Sequence, residues 1–200
     1  MKKLFLICLT ITVTQVSFAQ GFFGSITQRL SFGLKAGGNY SNFTNADFDT
    51  EGLAGFHAGA IINFKLSENW SVQEEFLFST QGAKIKDNLL DTTKDLKLSY
   101  AAIPIVLKYH SNIGIYGELG FQANMLIEDA KNSGFENFAD KIDAGALAGF
   151  GYQFRDSPLK GLGIGARYYY GLMDVGKFNS STVKPDFKNS TAQLSVFYIF

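Results

Sequence analysis

Few side chains in this sequence are equipped for covalent chemistry. It holds two histidines, His57 and His110, and a single cysteine, Cys8. That is short of the nitrogen and sulfur ligand set of a structural zinc site, so no metal and no cofactor is expected. Acyl transfer would need His57 to meet a serine or an acid, and no nucleophile elbow or other serine-hydrolase motif is present. The run GLGIGAR at 161–167 has glycines without the G-x-G-x-x-G spacing, and it opens a strand rather than a phosphate-binding helix. No residue is assigned a catalytic role. The residues that do invite a chemical reading are four charges in largely uncharged surroundings: Lys35, Glu75, Glu118 and Arg167. Two cations and two anions gathered away from water would compensate one another. Strung along an open passage, they would instead form an ion or proton path.

The elements that carry these charges decide between the two. Apolar and polar residues alternate with a period of two near 30–42, 53–66, 70–82, 98–109, 113–126, 142–154, 161–173 and 191–200. In the fifth segment Ile115, Gly117, Leu119, Phe121, Ala123 and Met125 share one parity; Tyr116, Glu118, Gly120, Gln122 and Asn124 share the other. Short connections at 67–69, 110–112 and 155–160 carry turn-forming Ser, Asn, Asp and Pro. They alternate with long ones at 43–52, 83–97, 127–141 and 174–190. No stretch approaches the apolar length of a transmembrane helix. The pattern predicts an all-β fold, an eight-stranded antiparallel up-and-down transmembrane barrel with both termini on the periplasmic, short-turn rim. In that fold Lys35, Glu75, Glu118 and Arg167 lie at similar heights on strands one, three, five and seven, forming one layer near mid-barrel.

Charge placement gives the orientation of the two faces. The eight segments contain only eight Asp, Glu, Lys or Arg. Seven of them, Lys35, Lys65, Glu75, Lys108, Glu118, Asp143 and Arg167, share the parity of the Gly, Gln and Asn residues. The exception, Glu74, lies close to the turn before Trp70. The apolar parity therefore faces lipid and the polar parity faces the lumen, the reverse of a soluble barrel. An interior of this size is just wide enough for side chains to fill, so the ionic layer is expected to plug it. Trp70, Tyr109, Tyr152, Phe154, Tyr198 and Phe200 fall outward near the periplasmic rim, and Tyr40, Tyr168 and Tyr170 near the other. These are two headgroup belts. Pro104, inside the fourth segment, is expected to force a bulge or kink. Phe43, Phe48, Phe135, Phe138, Phe178 and Phe187, in the long loops, are expected to pack over the barrel mouth.

Lys2 and Lys3, the apolar run 4–16 and Ser17-Phe18-Ala19 predict a signal peptide over 1–19, which takes Cys8 with it. A short N-terminal periplasmic segment, 20–29, would precede a barrel domain at 30–200. Export and barrel patterning place the chain in the bacterial outer membrane, in contact with outer-membrane lipid. A formal net charge of zero gives no case for nucleic acid. In the last segment Leu194, Val196, Tyr198 and Phe200 share the outward parity. This ending resembles the C-terminal signal by which the barrel assembly machinery recognises a nascent barrel. The same strand must pair with the first near Ser31–Lys35 to abolish the sheet edges.

Three runs carry a wider resemblance: Tyr100-x-x-Ile103-Pro104-x-x-x-Lys108, Glu75-x-x-x-Ser79-x-x-Gly82 after Val72-Gln73, and Gly165-x-Arg167-Tyr168-x-x-Gly171-Leu172. They resemble the outer-membrane β-barrel family abundant in Bacteroidota, which includes PorT-like proteins and chains described as porin family proteins. The resemblance covers essentially the whole mature chain. It implies a small Gram-negative outer-membrane barrel that is not an enzyme, with a structural or interaction role. An accessory component of a protein secretion or surface-assembly system, with a secretion-system or surface-protein partner, is the alternative it suggests. A lipid-modifying barrel enzyme or a narrow channel are alternatives of other classes; the first requires His57 within reach of a serine or acid near the outer leaflet, the second a continuous water path past the ionic layer. Deleting Phe200 is expected to reduce assembly in cell membranes, measured as folded barrel per total protein, more than it lowers the urea midpoint of barrel refolded in detergent.

Overall fold

Alternation of apolar and small polar residues gives every segment one face for lipid and one for the lumen, and the backbone groups between can be satisfied only by neighbouring strands. The computed structural model describes residues 27–46, 49–87, 92–129, 139–156, 158–175 and 187–200. The signal peptide expected at 1–19, residues 20–26 of the short segment that follows it, and Phe48, Phe135, Phe138 and Phe178 lie outside the described residues. The strands are β1 (Leu30–Thr44), β2 (Thr50–Lys65), β3 (Trp70–Asp87), β4 (Thr92–His110), β5 (Ile115–Glu128), β6 (Ile142–Gln153), β7 (Leu162–Gly171) and β8 (Lys188–Ile199). They form a closed antiparallel barrel in sequence order. The closing pair runs from Gly33 opposite Ile199 to Thr44 opposite Lys188. The Phe200 amide extends this seam by donating to the Phe32 carbonyl at 2.8 Å.

The strands that differ most from expectation are β3 and β4. They continue together to Asp87 opposite Thr92, so most of the connection expected at 83–97 is hairpin. Lys84, Asp95 and Lys97 belong to the outward parity of a hairpin that outruns its neighbours. Inward, Ala83, Leu96 and Leu98 keep the alternation and are buried. The connection expected at 43–52 likewise shrinks to the residues between Thr44 and Thr50. Pro104 makes no bulge. Register is the same on both sides of it, Glu74 opposite Ile105 and Leu77 opposite Ala102, and only the pairing between them is interrupted. A proline that lacks its ladder donor has removed hydrogen bonds without shifting the strand. The irregularities lie elsewhere, at Gly52/His57 between β2 and β3 and at Ser99/Tyr100 between β4 and β5.

Burial follows the parity expected for a membrane barrel. Phe32, Leu34, Leu119, Phe121, Phe150, Ile164 and Leu194 are exposed on the outer wall, while Lys35, Gln73, Glu75, Lys108, Glu118, Gln122, Asp143 and Arg167 are buried inside. Lys65 shares the inward parity but sits in water at the rim. The periplasmic aromatics pair across and along strands: Trp70 with Tyr109 at 5.0 Å, Tyr152 with Phe154 at 5.0 Å, and Tyr198 with Phe200 at 5.3 Å between ring centroids. Tyr40, Tyr168 and Tyr170 are exposed on the outer wall toward the opposite rim. Leu119→Arg, which places a cation on the lipid-facing wall, is expected to destabilise the barrel in lipid vesicles by about 2–4 kcal/mol, read as the shift in urea unfolding.

Candidate functional site

The lumen is filled in tiers. Lowest, near the short turns, Ile61, Tyr116 and Phe197 form a buried apolar floor with Ile199 against it. Above it lie the four charges that the sequence singles out, and the structure brings them into contact. The Arg167 guanidinium grips Glu75 with both terminal nitrogens, at 2.9 and 2.8 Å, and its Nε donates to Glu118 at 2.7 Å. The Lys35 ammonium donates to both Glu75 oxygens, at 3.2 and 3.1 Å. Planar two-pronged pairing of this kind is the strong form of a charge-assisted hydrogen bond. All four side chains are nearly water-free.

A fifth charge completes the layer. Lys108 Nζ lies 3.5 Å from Glu118 Oε2, donates to Gln73 Oε1 at 3.2 Å, and stands 3.9 Å above the Tyr116 ring and 4.8 Å from that of Phe197. Two aromatic faces and a carboxylate replace the water that a buried ammonium loses. Parity places Lys108 among the inward charges, but on a descending strand, apart from the layer expected on strands one, three, five and seven. The available signal was hairpin symmetry: Lys108 and Glu118 are direct partners across the turn between β4 and β5. The layer is thus three cations around two anions.

His57 occupies the next tier. Its Nδ1 is 2.7 Å from Asn39 Oδ1 and its Nε2 is 2.9 Å from Ser195 Oγ. The Asn39 amide nitrogen donates to the Phe56 and Thr80 carbonyls and to Ser79 Oγ. That fixes the Asn39 oxygen toward the ring, so His57 carries its proton on Nδ1 and accepts the Ser195 hydroxyl at Nε2. A serine–histidine contact therefore exists, but it faces the lumen and not the outer leaflet. Ser195 is 8% exposed. Its cross-strand neighbours are Gly37 and Gly165, and the space above them is taken by the His57 ring and the Tyr116 hydroxyl.

One inward step past Lys108, Glu118 and Arg167, Val106, Leu147 and Tyr169 pack together, and farther from the short turns Asp143 is held by Asn124 and Asn189. A third apolar cluster of Phe43, Ala83, Leu96, Leu98, Tyr100, Ala139, Val175 and Phe187 covers the mouth, with Phe43 and Phe187 at 4.6 Å. Among the described residues no group of three or more His, Cys, Asp or Glu is placed to hold a metal.

A family model described as an outer membrane protein beta-barrel domain matches residues 18–176. The chain belongs to this family. Among solved structures, the outer membrane protein OprG from Pseudomonas aeruginosa is similar in fold at 15% identity and a TM-score of 0.51, over 85% of this chain and 95% of that one. Neisserial surface protein A (NspA) is similar at 16% identity and a TM-score of 0.52, over 84% and 97% of the two chains. At such identities the likeness is one of fold. No curated protein matches the sequence. An outer membrane protein beta-barrel domain with a closed eight-stranded wall and an apolar exterior places the protein in the bacterial outer membrane. Within this barrel Glu75 is the anion shared by Lys35 and Arg167. Glu75→Ala leaves two buried cations short of a partner and is expected to cost about 3–5 kcal/mol, measured by urea unfolding in detergent micelles; an unchanged midpoint would show that the layer contributes nothing to stability.

Proposed function

We propose that this protein is a non-enzymatic outer-membrane barrel with a structural or interaction role, whose lumen is plugged by its own side chains. The observation that carries the reading is the Lys35–Glu75–Arg167–Glu118–Lys108 layer, in which every charge contacts an opposite one. A conducting pore keeps charged groups hydrated along its axis; here they are committed to one another, between an apolar floor and an apolar cap. A serine enzyme would present its hydroxyl to lipid, whereas Ser195 is enclosed in the lumen. The kinship with PorT-like barrels of Bacteroidota is part of this proposal and rests on the three sequence runs around Glu75, Pro104 and Arg167. With the lumen closed, the outer wall and the loops are what remains for lipid or a protein partner. Reconstituted in planar bilayers, the barrel is expected to stay electrically silent, and Glu75→Gln, which loosens the layer, to give conductance events above the wild-type baseline. Steady single-channel conductance of the wild-type barrel would refute the plug.

A further inference from the structure

The lipid-facing wall carries one charge. Glu74, on β3, shares the outward parity of Trp70, Val72, Phe76 and Phe78, and its cross-strand neighbours are Ile62 and Ile105. Between the belt of Trp70 and Tyr109 and the belt of Tyr40, Tyr168 and Tyr170, no other outward residue among the described ones is an Asp, Glu, Lys or Arg. Glu74 is half-buried and makes no hydrogen bond or ion pair with a described residue. The β3–β4 ladder is also interrupted beside it, between the Glu74–Ile105 and Leu77–Ala102 pairs, where Pro104 offers no donor. A wall adapted to lipid alone would be free of charge and fully laddered. Both departures meet at one place.

An ionisable side chain at membrane depth calls for a partner, and the possible sources can be taken in turn. The lumen cations Lys35, Lys108 and Arg167 are on the other face of the wall and are engaged by Glu75 and Glu118. Lipid headgroups lie at the aromatic belt. Glu74 is four residues along β3 from Trp70, which at about 3.3 Å per residue and a tilt of about 40° sets it about 10 Å deeper than that belt. A second copy, inserted the same way up, presents the same wall at the same depth, where the only charge is another Glu74. Its outward Lys84 and Lys97 lie past the opposite belt. A different membrane protein remains, with a basic side chain whose long apolar stem lets its charge be held at this depth.

We propose that the β2–β4 wall around Glu74 is an interaction surface for a membrane-embedded protein segment that places a lysine or arginine against the Glu74 carboxylate. This rests on the interaction role proposed above and names its surface and the chemistry of its partner.

Two measurements test it. In the purified full barrel in lipid vesicles, Glu74 has no partner, so Glu74→Leu is expected to raise the urea midpoint. A lowered midpoint would show that Glu74 serves its own barrel and would overturn the surface. In the cells that make the protein, the photocrosslinker p-benzoylphenylalanine replaces Ile105 beside Glu74, or Ile164 or Leu194 on the far wall. One discrete adduct is expected from position 105 and none from the other two. Its yield should fall several-fold in Glu74→Gln and be kept in Glu74→Asp, and mass spectrometry should find a lysine or arginine in the captured segment. An adduct between two copies of this chain, an adduct indifferent to Glu74→Gln, or a captured segment without a basic residue would each overturn the proposal. Adducts from 164 or 194 alone would overturn this face and leave the interaction role standing, and silence at all three positions would remove the partner from the wall. The conductance test of the plug is independent of either result.

Discussion

Backbone amides and carbonyls have no water to bond in the hydrocarbon core, and in an open sheet two edges would remain unsatisfied. Closure of β8 onto β1 is therefore the constraint from which the rest of this structure follows. It fixes which residues face each other across the lumen, because a slip of one residue at the seam would turn a whole strand inside out. The observed register sets Gly37 opposite both His57 and Ser195. That single alignment creates the His57–Ser195 contact between residues 138 positions apart in sequence.

Closure with eight strands also makes the lumen narrow, and narrowness explains why its charges meet. A lone ammonium or carboxylate in such a space would carry a desolvation cost of several kcal/mol. Placing Glu75 between Lys35 and Arg167, and Glu118 between Arg167 and Lys108, leaves no member of the layer without an opposite charge. Arginine at the centre matters geometrically. Its planar fork serves two carboxylates at once, which a lysine at 167 could not do in the same directions. Lysine suits position 108, where a compact charge sits over two rings.

Much of this was legible in the sequence because a strand exposes its environment through parity. The lipid face, the inward charges, the aromatic rims and the seam near Ser31–Lys35 all follow from a period of two. The layer of Lys35, Glu75, Glu118 and Arg167 could be located because these residues are equally far from the short turns on ascending strands. Lys108 required the same count run downward. The extent of β3 and β4 was hidden for another reason. Charge on the outward face signals a loop only while that face is in lipid. Beyond the belt, Lys84 and Lys97 can remain in strand while Leu96 and Leu98 stay inside. His57–Ser195 and the Asp143 cluster depend on register summed around the whole barrel, which no single segment encodes.

Glycine content acquires its meaning from the same geometry. Inward glycines stand where a bulky neighbour crosses the lumen: Gly37 under the His57 ring, Gly163 under Phe197, Gly151 and Gly165 under Tyr116, and Gly149 beside Glu118. Each of these inward side chains thus has its space made by a missing side chain on a nearby strand. On the outer wall the same alternation appears as Phe150 beside Ala166, Ala166 beside Leu194 and Leu194 beside Gly38. There lipid can fill the hollows, so the small residues are a tolerance. Inside, no solvent of adjustable shape is available, and a glycine and its bulky partner form one unit. The ionic layer depends on these pairs as much as on its charges, because Glu118 reaches Arg167 only across the space that Gly149 leaves open.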